Sequence, residues 1–268
     1  AAVVGFFGFH GTGGEWLDFQ VQSWFWDGRD WLIPKNPGWF HKLAYTGPKV
    51  VLSAFALWLL WAIAFPARSP AWLGRRRAAY VIVSMAVVSL VSVQLRSVTQ
   101  MATPRDLTIY GAVAPNAWEH LLLFDVKPAG YPSHAFPAGH ASGGFALLCL
   151  AFAWDTAAAR RRGFLIGGVY GGLMGLYQIA RGEHFLSHTL ATAALAWLLS
   201  AALARWLKPA EVSSTNCRCC PRGGGRSSRS RRSNSRGRCP SGSSWCRRPG
   251  LDPSIPRAAA RRPGWPLR

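Results

Sequence analysis

Long apolar runs separated by short basic or polar stretches set the pattern of this chain. Residues 49–66, 78–95, 140–154, 164–180 and 189–207 are each almost free of charge. A helix that crosses a bilayer needs about 20 apolar residues, so these runs predict membrane-spanning helices. Residues 1–9 form a further apolar run, too short to span and lacking a basic leader, which reads as a truncated first transmembrane helix and not as a signal peptide. The expected fold is all-α, an integral membrane bundle of about six transmembrane helices. The run at 164–180 carries Gly167, Gly168, Gly171, Gly172 and Gly175. Small residues at such spacings let membrane helices approach closely.

Charge orients the bundle. Arg75, Arg76 and Arg77 lie between the second and third runs, Arg160, Arg161 and Arg162 between the fourth and fifth, and Arg205 and Lys208 follow the last. Helix counting places all three groups on one side, which the positive-inside rule makes cytoplasmic. Residues 96–139 and 181–188 then face outward. Residues 11–46 also lie outside, and Trp16, Trp24, Trp26, Trp31 and Trp39 make them an interfacial aromatic segment. The expected organisation is a partial first helix with this segment over 1–46, a transmembrane core over 47–210, and a basic tail over 211–268.

Composition supports a membrane protein: half of the 268 residues are hydrophobic, with 14 Trp and 14 Phe. The net charge of +20 does not mark a nucleic-acid face, because residues 213–268 hold fourteen Arg and one acid, Asp252. That stretch is too poor in aliphatic residues to offset its ordering entropy. It reads either as a disordered basic tail near anionic lipid or as a shifted reading frame. Five cysteines, Cys217, Cys219, Cys220, Cys239 and Cys246, fall in it without a common zinc spacing, whereas Cys149 sits inside an apolar run as a small core residue.

The candidate chemistry lies at the outer ends of the runs. His184 and His188 are four apart and open the last helix, where backbone N–H groups favour anions. Arg181 precedes them, His140 starts another helix after Pro137 and Gly139, and Arg96 closes a third. Arginine offers a planar fork to phosphate. One histidine can attack phosphorus while a second protonates the leaving oxygen. Thr99 and Ser142 either donate to the phosphate or only pack locally. His134, His10, His41 and His120 read as loop or interfacial residues, Asp106 and Asp125 as solvated acids, and Lys42 and Lys49 as cations that can meet lipid phosphate.

Pro137-Ala138-Gly139-His140 with its continuation to Phe145, the stretch from Arg181 to His188, and Arg96 with Thr103-Pro104 together resemble the three motifs of the type 2 phosphatidic acid phosphatase superfamily. The resemblance covers residues 40–208. It implies that His184 is the nucleophile and forms a phosphohistidine, that His140 protonates the leaving group, that His188 orients His184, and that Arg96 binds phosphate. No metal and no cofactor is implied. The chain departs from the family pattern at several positions: Arg96 stands for Lys, Thr103 for Arg (with Arg105 two residues on), Ala138 for Ser, Gln178 for Arg (with Arg181 a turn later), and His188 for the orienting Asp. Arg181, Arg105 and the open backbone of Gly139 are the expected replacements at the phosphate, and Glu183 or Asp106 the expected compensating acid.

These features predict a phosphatase that hydrolyses a lipid phosphate or diphosphate at the periplasmic face of a bacterial-type inner membrane, with membrane lipids as its surroundings and no nucleic-acid partner. Phosphoryl transfer to another lipid is the allied alternative. A membrane metal or haem protein using His140, His184 and His188, and a non-catalytic lipid-phosphate binder, are two further readings. The sequence does not specify the lipid or the oligomeric state.

Overall fold

The computed structural model describes residues 2–35, 38–113, 117–132 and 135–209. The expectations for His134 and for the tail from residue 211 lie outside the described residues. Within them the chain is all-α, with isolated bridges between Trp26 and Trp31 and between Leu107 and Trp118 and no strand. The order is α1 (Ala2–Phe7), α2 (Gly14–Ser23), α3 (Trp39–His41), a π-helical turn (Lys42–Thr46), α4 (Gly47–Ala64) and α5 (Arg75–Thr99). Two 3-10 turns, Pro104–Asp106 and Thr108–Tyr110, precede α6 (Gly139–Phe145), which tightens into a 3-10 stretch, Ala146–Phe152. The last helices are α7 (Ala157–Ala180) and α8 (Leu186–Leu207).

Four segments are long and apolar enough to cross a membrane: Trp39–Ala64, Arg75–Asp106, Ala157–Ala180 and Leu186–Leu207. Gly139–Phe152 is apolar but shorter, and the first apolar run contributes only the six residues of α1. The chain is therefore a membrane helical bundle. Its helix ends follow local chemistry. Pro48 sits in the first turn of α4, where a missing N–H costs nothing. The Thr156 hydroxyl accepts from Ala159 N–H to cap α7. Arg75 Nε donates to Ile63 O at 2.9 Å and so covers the last turn of α4.

The core gathers Leu59, Tyr80, Val81, Val88, Phe145, Leu148, Cys149 and Ala196 from α4, α5, α6 with its 3-10 extension, and α8. Tyr80 satisfies its buried hydroxyl by donating to Ser200 O at 3.0 Å. One face of α7 makes the tightest approach. At Gly163, Gly167 and Gly171 a Cβ would run into the backbone of the α6 segment, and at Gly175 into Thr189. Gly168 and Gly172, on another face, have open space beside them. The glycine stripe is thus a contact at four-residue spacing and not a property of every glycine in the run.

Above the bundle lies a second apolar cluster of Trp31, Ala102, Leu107, Tyr110, Tyr131 and Phe185, backed by Phe19, Phe25, Trp26 and Trp118. Trp16, Trp24 and Trp39 are exposed, as surface anchors would be. Trp31 is buried, because Gly182 (φ +70°) leaves its Cβ side open to the indole. Part of the aromatic segment is therefore a lid over the start of α8.

Candidate active site

Four chain segments converge at one end of the bundle: the end of α5, the start of α6, the turn after α7 and the first turn of α8. His184 lies in that turn and His188 in α8, with ring centroids 5.9 Å apart at 70°. Both are buried, and the Ala135 backbone lies beside both imidazoles. Nδ1 of His184 and both ring nitrogens of His188 lack a hydrogen-bond partner among the described residues. Burial, and after it the Arg96 charge, push the His184 imidazole down to about 3, so the ring is neutral at ordinary pH.

Arg96 owes its position to a glycine. A Cβ on Gly139 would lie 2.5 Å from Arg96 Nη1, so only glycine lets the guanidinium lie against the start of α6. From there its charge acts on both His140 and His184. The charges of Lys49 and Arg181 act on His140 as well. Arg181 is buried; its Nη1 donates to Gln178 Oε1 at 3.2 Å, its Nη2 donates to Lys35 O at 2.8 Å, and Glu183 lies 3.6 Å from Nη2. Arg181 Nε has no partner among the described residues.

Other predicted residues serve the frame. Arg105 Nε donates to Arg181 O and its Nη2 to Ile33 O, so it braces the turn and does not join the histidines. Thr99 Oγ1 donates to Phe136 O at 2.5 Å, and Ser142 Oγ to Gly139 O at 2.7 Å. Asp106 caps the turn at Thr103, and Glu183 pairs with Arg181 and Arg105. His10 and His120 both meet Glu15, and His10 also meets Asp125, which ties α2 to the 120–125 loop.

The residues that sequence reasoning missed come from the first part of the chain. Asp18, buried on α2, accepts from Ser187 N–H at 2.8 Å. Gln22, one turn later, donates to His184 O at 2.7 Å. The N-terminus of α8 therefore receives a carboxylate of the protein itself, which fills the role expected of an anion there. Desolvation pushes the Asp18 carboxyl up to about 7 against the hydrogen bonds from Ser187. Thr192 joins the two histidine segments: its hydroxyl accepts from Ala138 N–H at 2.8 Å and donates to His188 O at 2.7 Å. The sequence of α2 also carries Glu15, Gln20 and Ser23, so nothing in it singles out Asp18 and Gln22.

Tyr45 and Tyr177 complete the setting of His140. The Tyr45 ring lies 4.2 Å from His140 and 4.4 Å from His41 by centroids, with Lys49 Nζ 3.8 Å from the Tyr45 ring centre. Arg181 lies over both tyrosines at 5.9 and 5.5 Å. Ala44, Tyr45, His140, Met174, Tyr177 and Gln178 line a cleft too narrow to hold a water molecule. Among the described residues no three His, Cys, Asp or Glu side chains converge as metal ligands.

The fold and this cluster define a class: helical membrane proteins that hold histidines and arginines together at one end of the bundle. The chain belongs to the PAP2 superfamily, whose family model matches residues 77–211. That match spans half of the chain and contains Arg96, His140, Arg181, His184 and His188, and membership makes the protein a phosphatase, a hydrolase of phosphoric esters. None of the curated proteins and none of the solved structures gives a match. Asp18, Gln22, His41, Tyr45 and Lys49 lie outside the matched stretch.

Proposed function

We propose that this protein hydrolyses a lipid phosphate or diphosphate at the outer, periplasmic face of a bacterial inner membrane, through a phosphohistidine on His184 and without a metal. The observation that carries the reading is the gathering of Arg96, packed against Gly139 next to His140, and buried His184 at one end of the bundle. Arg96 binds the phosphoryl oxygens and offsets the charge that develops on them. His184 attacks phosphorus as a neutral imidazole; the N–P bond forms as the P–O bond to the lipid breaks. His140 takes up a proton once the phosphate charge offsets those of Lys49, Arg96 and Arg181, and gives it to the departing oxygen. It then takes a proton from water, which attacks phosphorus, breaks the N–P bond and releases inorganic phosphate. Asp18 and Gln22 hold the His184 turn through backbone contacts, and Thr192 ties the His188 carbonyl to the Ala138 N–H.

Phosphate release from a panel of lipid phosphates, by protein in detergent with and without EDTA, tests this. Release is expected to survive EDTA and to fall by about a thousandfold or more in His184→Ala and His140→Ala. Release that EDTA abolishes, or that survives in His184→Ala, contradicts the reading.

A further inference from the structure

His140 stands at the start of α6, and its Nε2 is buried without a hydrogen-bond partner among the described residues. Buried polar nitrogens are ordinarily held by hydrogen bonds. Here an aromatic ring lies alongside: Tyr45 is 4.2 Å from His140 by centroids, with the planes 45° apart. Ala44, Met174, Tyr177 and Gln178 line the same cleft and leave no room in it for a water molecule. In packing that close, the imidazole cannot turn without moving the phenol ring.

Tyr45 is itself held in place. His41 stacks on it with centroids 4.4 Å apart and planes 23° apart, and Lys49 Nζ lies 3.8 Å from its ring centre. His41 Nδ1 in turn meets Tyr177 OH at 3.2 Å. A line of rings thus runs from Tyr177 on α7, through His41 and Tyr45, to His140 on α6. Tyr45 belongs to the π-helical turn Lys42–Thr46 that leads into α4, and single π-helical turns recur at functional sites. His41 and Tyr45 are four residues apart, so one short segment supplies both rings. That segment precedes residues 77–211, the stretch that the family model matches.

We propose that Tyr45 is a positioning residue for His140: its ring fixes the orientation of the imidazole and favours the imidazolium that protonates the departing oxygen. The proposal rests on the function given above. In that step the proton passes from the His140 imidazolium to the lipid oxygen as the P–O bond breaks, and a neutral imidazole remains. Lys49, Arg96 and Arg181 oppose a proton on His140. An aromatic face does the reverse, because its negative quadrupole attracts a cation within about 6 Å of the centroid. The ammonium of Lys49 beside the same ring shows that Tyr45 accepts a cation. Both effects belong to the ring and not to the hydroxyl, so Tyr45→Phe keeps them and Tyr45→Leu removes them.

The test uses the full chain in detergent and two substrates with the same long alkyl chain, an alkyl phosphate and a nitrophenyl phosphate. The alkoxide is a poor leaving group and needs the proton, whereas the nitrophenolate departs without it. Tyr45→Leu is expected to lower kcat/KM for the alkyl phosphate about tenfold more than for the nitrophenyl phosphate. Tyr45→Phe is expected to bring the alkyl phosphate back to within about threefold of wild type. Equal losses on the two substrates, no loss, or a Tyr45→Phe protein as poor as Tyr45→Leu overturns the proposal. A second readout needs no turnover. The Hε1 proton resonance of His140, assigned by its disappearance in His140→Gln, is expected to be displaced by the Tyr45 ring current. The displacement should persist in Tyr45→Phe and vanish in Tyr45→Leu. A wild-type resonance at the ordinary histidine position overturns the proposal, whichever variants fold. If the wild-type protein releases no phosphate from either substrate, the proposed activity fails, and the ring-current displacement still decides whether Tyr45 holds His140.

Discussion

At the scale of single residues, the His184 turn is held by backbone contacts from another helix. Asp18 takes the Ser187 N–H and Gln22 supports the His184 carbonyl, so the ring's position depends on α2 although α2 has no part in the chemistry. Losing a cap of this kind costs about 0.5–2 kcal/mol. Asp18→Ala should therefore lower kcat by about tenfold with KM nearly unchanged, and Asp18→Asn, which keeps an acceptor, should restore most of it. Equal kcat in wild type and Asp18→Ala would remove this role. The pH dependence follows from His184. Its nucleophilic form is neutral, and burial with Arg96 holds its pKa at about 3, so His184 imposes no acid limb on kcat/KM near the ordinary 6.5. Arg96→Gln should let that limb move upward in the residual kcat/KM; a limb at the same pH with and without Arg96 would contradict the account. The same shift has a stability sign. The unfolded chain takes up this proton near 6.5 and the folded chain only near 3, so the His184 contribution falls as pH drops through that window.

The histidines and Arg96 were legible in the sequence because each lies in a compact motif at the end of an apolar run. Asp18, Gln22, Tyr45 and Tyr177 were not. Their partners lie far away in sequence, 169 residues for Asp18 and Ser187 and 136 for His41 and Tyr177. Only packing brings such pairs together, and the surrounding pattern there describes a surface segment. Similarly, hydropathy marked Trp31 as interfacial because it cannot register the space that Gly182 opens beside the indole.

At the scale of elements, the bundle is organised by the stripe of small residues on α7. That face brings the α6 segment close enough to carry His140 to Arg96. Because a Cβ would strike backbone at Gly167 and Gly171 but meets nothing at Gly168 and Gly172, the four alanine substitutions should divide. Gly167→Ala and Gly171→Ala are expected to destabilise by about 1–3 kcal/mol through overpacking. Gly168→Ala and Gly172→Ala should be neutral or stabilising by up to about 1 kcal/mol, since helical glycine is itself costly. Thermal unfolding in one detergent separates the pairs; equal losses at all four would contradict the packing described. The runs at 49–66, 78–95, 164–180 and 189–207 all became long helices, as periodic apolar segments of that length should. The run at 140–154 gave a shorter element, because α6 tightens into a 3-10 stretch after Phe145 and never reaches spanning length as a regular helix.

At the scale of the whole molecule, the ends of the helices separate two kinds of chemistry. Arg96, Gly139, Arg181 and His184 gather at one end, and helix direction puts Arg75, Arg160 and Arg205 at the other. That separation agrees with a cytoplasmic basic face and a reaction at the opposite membrane surface. The family match begins at residue 77, so it covers the histidine and arginine motifs. The segments before it add the support of α2 and the aromatic cluster over the start of α8. The central claim is that the phosphoryl group rests on His184. Rapid quenching of the protein with a radiolabelled lipid phosphate, followed by peptide mapping under alkaline conditions, should find acid-labile phosphate on the peptide that carries His184, with none in His184→Ala. Label on another residue, or turnover with no phosphoenzyme at any time point, would contradict it.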